Sequence, residues 1–200
     1  MSKAILLNTG WTFTKEGHDE PVTLPHTWNA VDGQDGGNDY YRGTCSYTRN
    51  LEKPELSDGD RAVLQFDGVA MTAVVSLNGE KVAEHKGGYS TFRVDITDAL
   101  HDGANELIVS VDNSDNDTVY PQKADFTFYG GIYRDISLIV VSRNHIALGH
   151  FGDTGVKITP VLKEGKADIR VETLVEGEGA VSVELQDAAG SIVASMYRFA

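Results

Sequence analysis

Few side chains in this sequence are of a type and spacing that could do chemistry. One group is Asp125-Phe126-Thr127-Phe128-Tyr129, a carboxylate beside an aromatic run. A carboxylate accepts two hydroxyl hydrogen bonds, and an aromatic face stacks on a surface rich in C–H, so this pairing suits a polyhydroxylated ligand. The alternation within the run puts at least one of Phe126, Phe128 and Tyr129 in a core. A second group is the glycine-rich stretch Asp32-Gly33-Gln34-Asp35-Gly36-Gly37, which runs into Asn38 and Asp39. It is long for a structural hairpin, and loops of that length usually carry function. A third is the acidic run Asp112 to Asp117, which invites a calcium reading. An EF-hand loop needs glycine at its sixth position and glutamate at its twelfth. Here those positions hold Asp117 and Lys123, so a solvated turn is expected.

Other chemistries find no support. Cys45 is the single cysteine, which rules out an intrachain disulfide, and it stands in a strand-like run as a plain buried thiol. His26 has no second histidine at ligand spacing, so no metal site is expected. It lies in Leu24-Pro25-His26-Thr27-Trp28-Asn29, which reads as a loop folded against the body of the protein, with Pro25 fixing the backbone. No pair of acids qualifies as a general acid and nucleophile, so no catalytic residue is assigned.

The elements that must position these residues are strands. Ala62, Leu64 and Phe66 alternate with polar or outward positions, and so do Ala73, Val75 and Leu77, then Leu107, Val109 and Val111, then Ile132, Arg134, Ile136, Leu138 and Val140. Period two over such runs is the strand signature. Asn78-Gly79 predicts a tight hairpin, and Asp58-Gly59, Gly87-Gly88 and Asp102-Gly103 mark further reversals. Asp95 to Leu100 is at most a short helical corner. Gly130-Gly131 predicts a bulge or close backbone approach, and Arg134 and Asp135 are expected to pair with a neighbouring strand. The fold class is all-β: a jelly-roll-like β-sandwich over 1–143, followed over 144–200 by the opening strands of an immunoglobulin-like β-sandwich. That second unit is expected to be incomplete, because about seven strands over roughly 100 residues are needed.

Composition bounds the partners. The formal net charge is −13 over 200 residues, which repels phosphate backbones and argues against nucleic acid. No apolar stretch is long enough for a membrane span or a signal-peptide core. Localisation stays open between cytoplasm and periplasm, and a homo-oligomer is compatible with the sequence.

Several segments, in order, carry a family resemblance: Leu7-Asn8-x-Gly10-Trp11-x-Phe13, Leu24 to Asn29, Phe66-Asp67-Gly68-Val69, Leu77-Asn78-Gly79, Gly88-Tyr89-x-x-Phe92-x-Val94-Asp95-Ile96-Thr97, Val111-Asp112-Asn113-Ser114, and Asp125 to Asp135. Together they resemble the N-terminal sugar-binding domain of glycoside hydrolase family 2, and the last run looks most like β-galactosidase-type members. The resemblance implies a β-galactoside-like carbohydrate as partner and a (β/α)8 barrel on the same polypeptide, which would supply both catalytic glutamates of a retaining hydrolysis. It implies that Asp125, six residues before Gly131, reaches into that active site, touches the sugar and helps hold a monovalent cation. It implies a rim position for Asn38 or Asp39. No cofactor is required; a monovalent or divalent cation belongs to the full enzyme. Without a barrel the 200-residue chain is expected to be inactive. The competing readings are a free-standing carbohydrate-binding module and a purely structural sandwich.

Overall fold

The computed structural model describes residues 3–30, 32, 40–120 and 127–199. Two compact units emerge: Met1–Val141 with His150–Gly152, and Ser142–Gly149 with Asp153–Ala200.

Among the described residues the first unit contains ten strands: β1 (Lys3–Leu6), β2 (Trp11–Lys15), β3 (His18–Val22), β4 (Thr44–Glu52), β5 (Arg61–Phe66), β6 (Thr72–Leu77), β7 (Glu80–Lys86), β8 (Phe92–Asp95), β9 (Ala104–Asp112) and β10 (Ile136–Val141). They form two antiparallel sheets, one ordered β1-β10-β5-β8 and the other β3-β2-β4-β9-β6-β7. Leu64, Phe66, Ile136 and Leu138 from the first sheet share one buried cluster with Tyr47, Val75, Leu107 and Val109 from the second. The unit is an all-β sandwich, as the alternation requires. Each fully buried large apolar side chain contributes about 1.5–3 kcal/mol. The Asn78-Gly79 reversal joins β6 to β7, with both residues at positive φ. The corner near residue 97 is one 3-10 turn, Thr97–Ala99.

One boundary differs from the sequence expectation. The alternation starting at Ile132 predicts a strand there, yet β10 starts at Ile136. The backbone of Gly131 and Ile132 has other partners: Gly131 pairs with Ala70, and the Ile132 carbonyl accepts from the His26 amide at 2.8 Å. Arg134 donates to the Asp67 carbonyl at 3.3 Å, and Asp135 accepts from the Asn8 amide nitrogen at 2.8 Å.

β9 spans the sandwich with a fully buried asparagine at each end. Asn105, near its start, accepts from the Asn78 side chain at 2.8 Å and donates to the carbonyls of His101 and Gly103. Asn113, just past its end, is about 27 Å away at the rise of an extended strand. Residues 40–43 and 127–130, which adjoin the undescribed candidate residues, meet at that second end.

The second unit contains β11 (His145–Ile146), β12 (Val156–Lys163), β13 (Lys166–Thr173), β14 (Val175–Glu176), β15 (Ala180–Gln186) and β16 (Ile192–Phe199), paired β11 with β14, β12 with β13, and β15 with β16. Ile158, Ile169, Val171, Val183, Leu185 and Met196 line a cavity of about 340 Å³.

Candidate functional site

At the Asn113 end, the roots of two chain segments are tied to each other. Asn29 is fully buried, as is Asn113. The Asn29 side-chain oxygen accepts from the Gly130 amide at 2.7 Å and from Asn113 Nδ2 at 3.2 Å. Its Nδ2 donates to the Tyr41 carbonyl at 2.9 Å and to the Asp32 carboxylate. Asn113 Oδ1 accepts from the Gly43 amide at 2.9 Å, while its Nδ2 also lies 3.3 Å from the Tyr41 carbonyl and 3.4 Å from the Phe128 carbonyl. The Tyr40 hydroxyl donates to the Phe128 carbonyl, and the Tyr41 amide donates to Asp32 at 3.1 Å. Buried amides and carbonyls in irregular chain must find partners. Here two asparagines supply them, each offering donors and an acceptor together.

The floor beneath this network is aromatic. Trp28 stacks on Phe13 with ring centroids 5.9 Å apart. Its indole nitrogen reaches the Tyr41 carbonyl at 3.4 Å. Gly130 lies so close that a Cβ there would sit 2.0 Å from the Trp28 ring. Glycine is therefore required by close approach. His26 fits between Phe13 and Tyr47, and the buried Tyr47 hydroxyl meets its Nδ1 at 2.8 Å. Burial lowers the His26 pKa and raises that of the Tyr47 phenol. A neutral His26 beside a phenol that keeps its proton follows, which is a packing role.

Asp125, Asn38 and Asp39 all lie outside the described residues. Their sequence neighbours do not: Tyr40 follows Asp39, Phe128 comes three residues after Asp125, and the Tyr40 hydroxyl joins those two neighbours. Phe126 is also outside the described residues. Phe128 is buried and Tyr129 is half exposed, so the aromatic run does divide between core and surface.

Asp112 and Asp115 of the acidic run are engaged by the protein itself. Asp112 accepts from the Thr44 hydroxyl and from the Ser114 amide at 2.7 Å, and Asp115 pairs with Arg42 at 3.1 Å. Among the described residues no group of three or more His, Cys, Asp or Glu could hold a metal ion. Cys45 is buried in β4, and burial pushes its thiol up to about 11.

Sequence reasoning passed over Asn29, Asn113 and Tyr40 as functional supports. Each is a lone polar residue in a loop or at a strand end. A short side chain that satisfies backbone far away in sequence leaves no periodic trace.

Three comparisons bear on this arrangement. Residues 2–142 match the family model described as glycosyl hydrolases family 2, sugar binding domain. A β-glucuronidase of Bacteroides fragilis is 40% identical over 158 residues, covering 76% of this chain and 23% of that protein. A β-galactosidase of Thermoanaerobacter pseudethanolicus is 29% identical, covering 95% of this chain and 26% of that protein. Among solved structures, an FMN-binding β-glucuronidase from Faecalibacterium prausnitzii L2-6 superposes with a TM-score of 0.93 at 42% identity, covering all of this chain and 32% of that one. The chain thus spans about a quarter to a third of the length of these three relatives.

Proposed function

Since the chain belongs to glycosyl hydrolase family 2 through its sugar binding domain, we propose that it forms the N-terminal, non-catalytic wall of a retaining glycosidase pocket that takes terminal β-linked sugars. In this reading residues 1–143 are the sugar-binding sandwich and 144–200 open an immunoglobulin-like domain. A (β/α)8 barrel elsewhere on the polypeptide carries the nucleophile and the acid/base, which a retaining mechanism sets about 5 Å apart.

The observation that carries the reading is the asparagine clamp. Asn29 and Asn113 hold the root of the segment ending in Asn38 and Asp39 against the root of the segment containing Asp125. A pocket wall needs that: side chains for hydroxyl recognition set on fixed stems, since misplacement by an ångström costs orders of magnitude in rate. Asp125 is assigned to the sugar hydroxyls, and Asn38 or Asp39 to the rim. In the assembled enzyme Asp125 would also help hold a monovalent cation.

The sugar is galactose in the reading taken from the Asp125–Asp135 run. A second reading, glucuronic acid, is favoured by the names of the 40% and 42% identical relatives. Both are tested at once by assaying the polypeptide of the full reading frame on 4-nitrophenyl β-galactoside and β-glucuronide. Asp125→Ala is expected to lower kcat/KM on the preferred substrate at least about 100-fold with the fold intact. Near-normal turnover in that variant refutes the assignment, and inactivity of the unaltered polypeptide on both substrates refutes both sugars.

A further inference from the structure

The aromatic side chains at the clamp end include three tyrosines that the pocket-wall reading does not use. Tyr89 stacks on Tyr120 with centroids 5.2 Å apart and planes 21° from parallel, and its centroid lies 6.3 Å from that of Tyr133 with the planes 70° apart. Yet Tyr89 is 56% exposed. With one face on Tyr120, a ring this exposed has much of its other face open to solvent.

The ring is held in place. Tyr120 donates its hydroxyl to Met71 Sδ at 3.2 Å, and the Tyr133 hydroxyl donates to the Gly88 carbonyl, one residue before Tyr89. The 87–90 turn is fixed in turn by the Gly87 amide on the Met71 carbonyl at 3.0 Å and by His85, whose Nε2 lies 3.0 Å from both the Gly87 carbonyl and Ser90 Oγ. A Cβ on Gly88 would lie 3.1 Å from both Met71 Sδ and the Tyr120 hydroxyl, so the glycine lets the tyrosines close on the turn. Tyr89 therefore gives up its side-chain freedom before any ligand arrives, which lowers the cost of binding.

We propose that the Tyr89–Tyr120 pair is a platform for one pyranose ring of a neutral carbohydrate, with the C–H face of the sugar on the free face of Tyr89. The chemistry selects this ligand. A phenol face carries negative potential and attracts polarised C–H groups. The Ser90 hydroxyl, positioned by His85 Nε2, has hydrogen-bonding capacity left for a sugar hydroxyl at the rim. A protein partner fits poorly, because a specific interface buries about 800 Å² on each side, and this surface is one ring flanked by glycine and serine. This site goes beyond the proposed function: it belongs to the chain itself and needs neither a barrel nor Asp125.

The test titrates methyl β-galactopyranoside, methyl β-glucopyranoside and cellobiose into the 200-residue chain, read by saturation-transfer NMR and by amide shifts. At least one should bind saturably with Kd on the order of 10 mM, the range open to a ligand of this size on one stacked ring. Tyr89→Ala should weaken it about tenfold, and Tyr89→Trp should keep it. Tyr197→Ala, at a comparably exposed tyrosine in the second unit, should leave it unchanged. Unchanged melting curves certify the variants. Absence of saturable binding by the unaltered chain up to about 100 mM overturns the proposal, as does equal affinity in Tyr89→Ala. Neither result touches the pocket-wall reading, which is judged by turnover in Asp125→Ala.

Discussion

Replacing Asn29 by alanine removes the centre of the clamp, and the cost follows from the contacts it leaves. The Tyr41 carbonyl keeps Asn113 Nδ2 at 3.3 Å and the Trp28 indole at 3.4 Å. Asp32 keeps the Tyr41 amide at 3.1 Å. The buried Gly130 amide loses the 2.7 Å acceptor it has here. An orphaned buried donor costs about 1–3 kcal/mol, and the remaining bonds add about 1 kcal/mol net. The total is about 2–4 kcal/mol, a fall in Tm of about 5–15 °C for a unit of this size. Thermal melting of the 200-residue chain measures it. Hydrogen exchange localises it: the Gly130 amide should exchange much faster in Asn29→Ala, while the Met71 amide, bonded to the Asp112 carbonyl at 2.9 Å, should stay protected. A Tm change under about 1 °C, or equal acceleration at Gly130 and Met71, would refute the clamp.

Further outcomes follow from the same contacts. Gly130→Ala drives a Cβ into the buried Trp28 ring. It should cost about 3 kcal/mol or more, with part of that recovered in the double variant Gly130→Ala/Trp28→Leu, as chemical denaturation would show. Cys45, raised to about 11 by burial, should not react with Ellman's reagent at pH 8 in the folded chain and should react once urea unfolds it. His26 and His85 are both held below the ordinary 6.5 by burial. As pH falls through 6.5 the unfolded chain takes up protons that the folded chain refuses, so stability should drop between pH 7.5 and 5.5, by at most about 1.4 kcal/mol per pH unit for each histidine. Urea midpoints across that range check the sign, and His85→Phe should flatten the slope.

The sheets were legible because burial on one face of a strand forces alternation. Ala73, Val75 and Leu77 are all buried in β6, as are Leu107, Val109 and Val111 in β9, where the period-two pattern puts them. The Asn78-Gly79 hairpin was legible because few residue pairs accept two positive φ angles. Legibility stopped where tertiary contacts outrank local pattern. Ile132 continues the alternation toward β10, but its carbonyl is taken by His26, more than a hundred positions back. The turn His150–Gly152 belongs with the first unit, and a Cβ on Gly152 would touch Thr91 at 3.0 Å; nothing near residue 150 signals that. Asn29 stood in plain view beside Trp28, and Asn113 sat inside a run that invited a cation. Both turned out to be buried supports. A sequence read in one dimension cannot distinguish an asparagine that clamps backbone from one that faces water.

Recognition and positioning, with no reacting group, are the roles proposed for this chain. The most direct measurement is turnover of 4-nitrophenyl β-galactoside and β-glucuronide by the purified 200-residue chain, with sensitivity to about one part in a million of an ordinary glycosidase rate. Release of 4-nitrophenol is expected to be no faster than in buffer alone. Release at enzymatic rates that follows the protein through successive purification steps would contradict it.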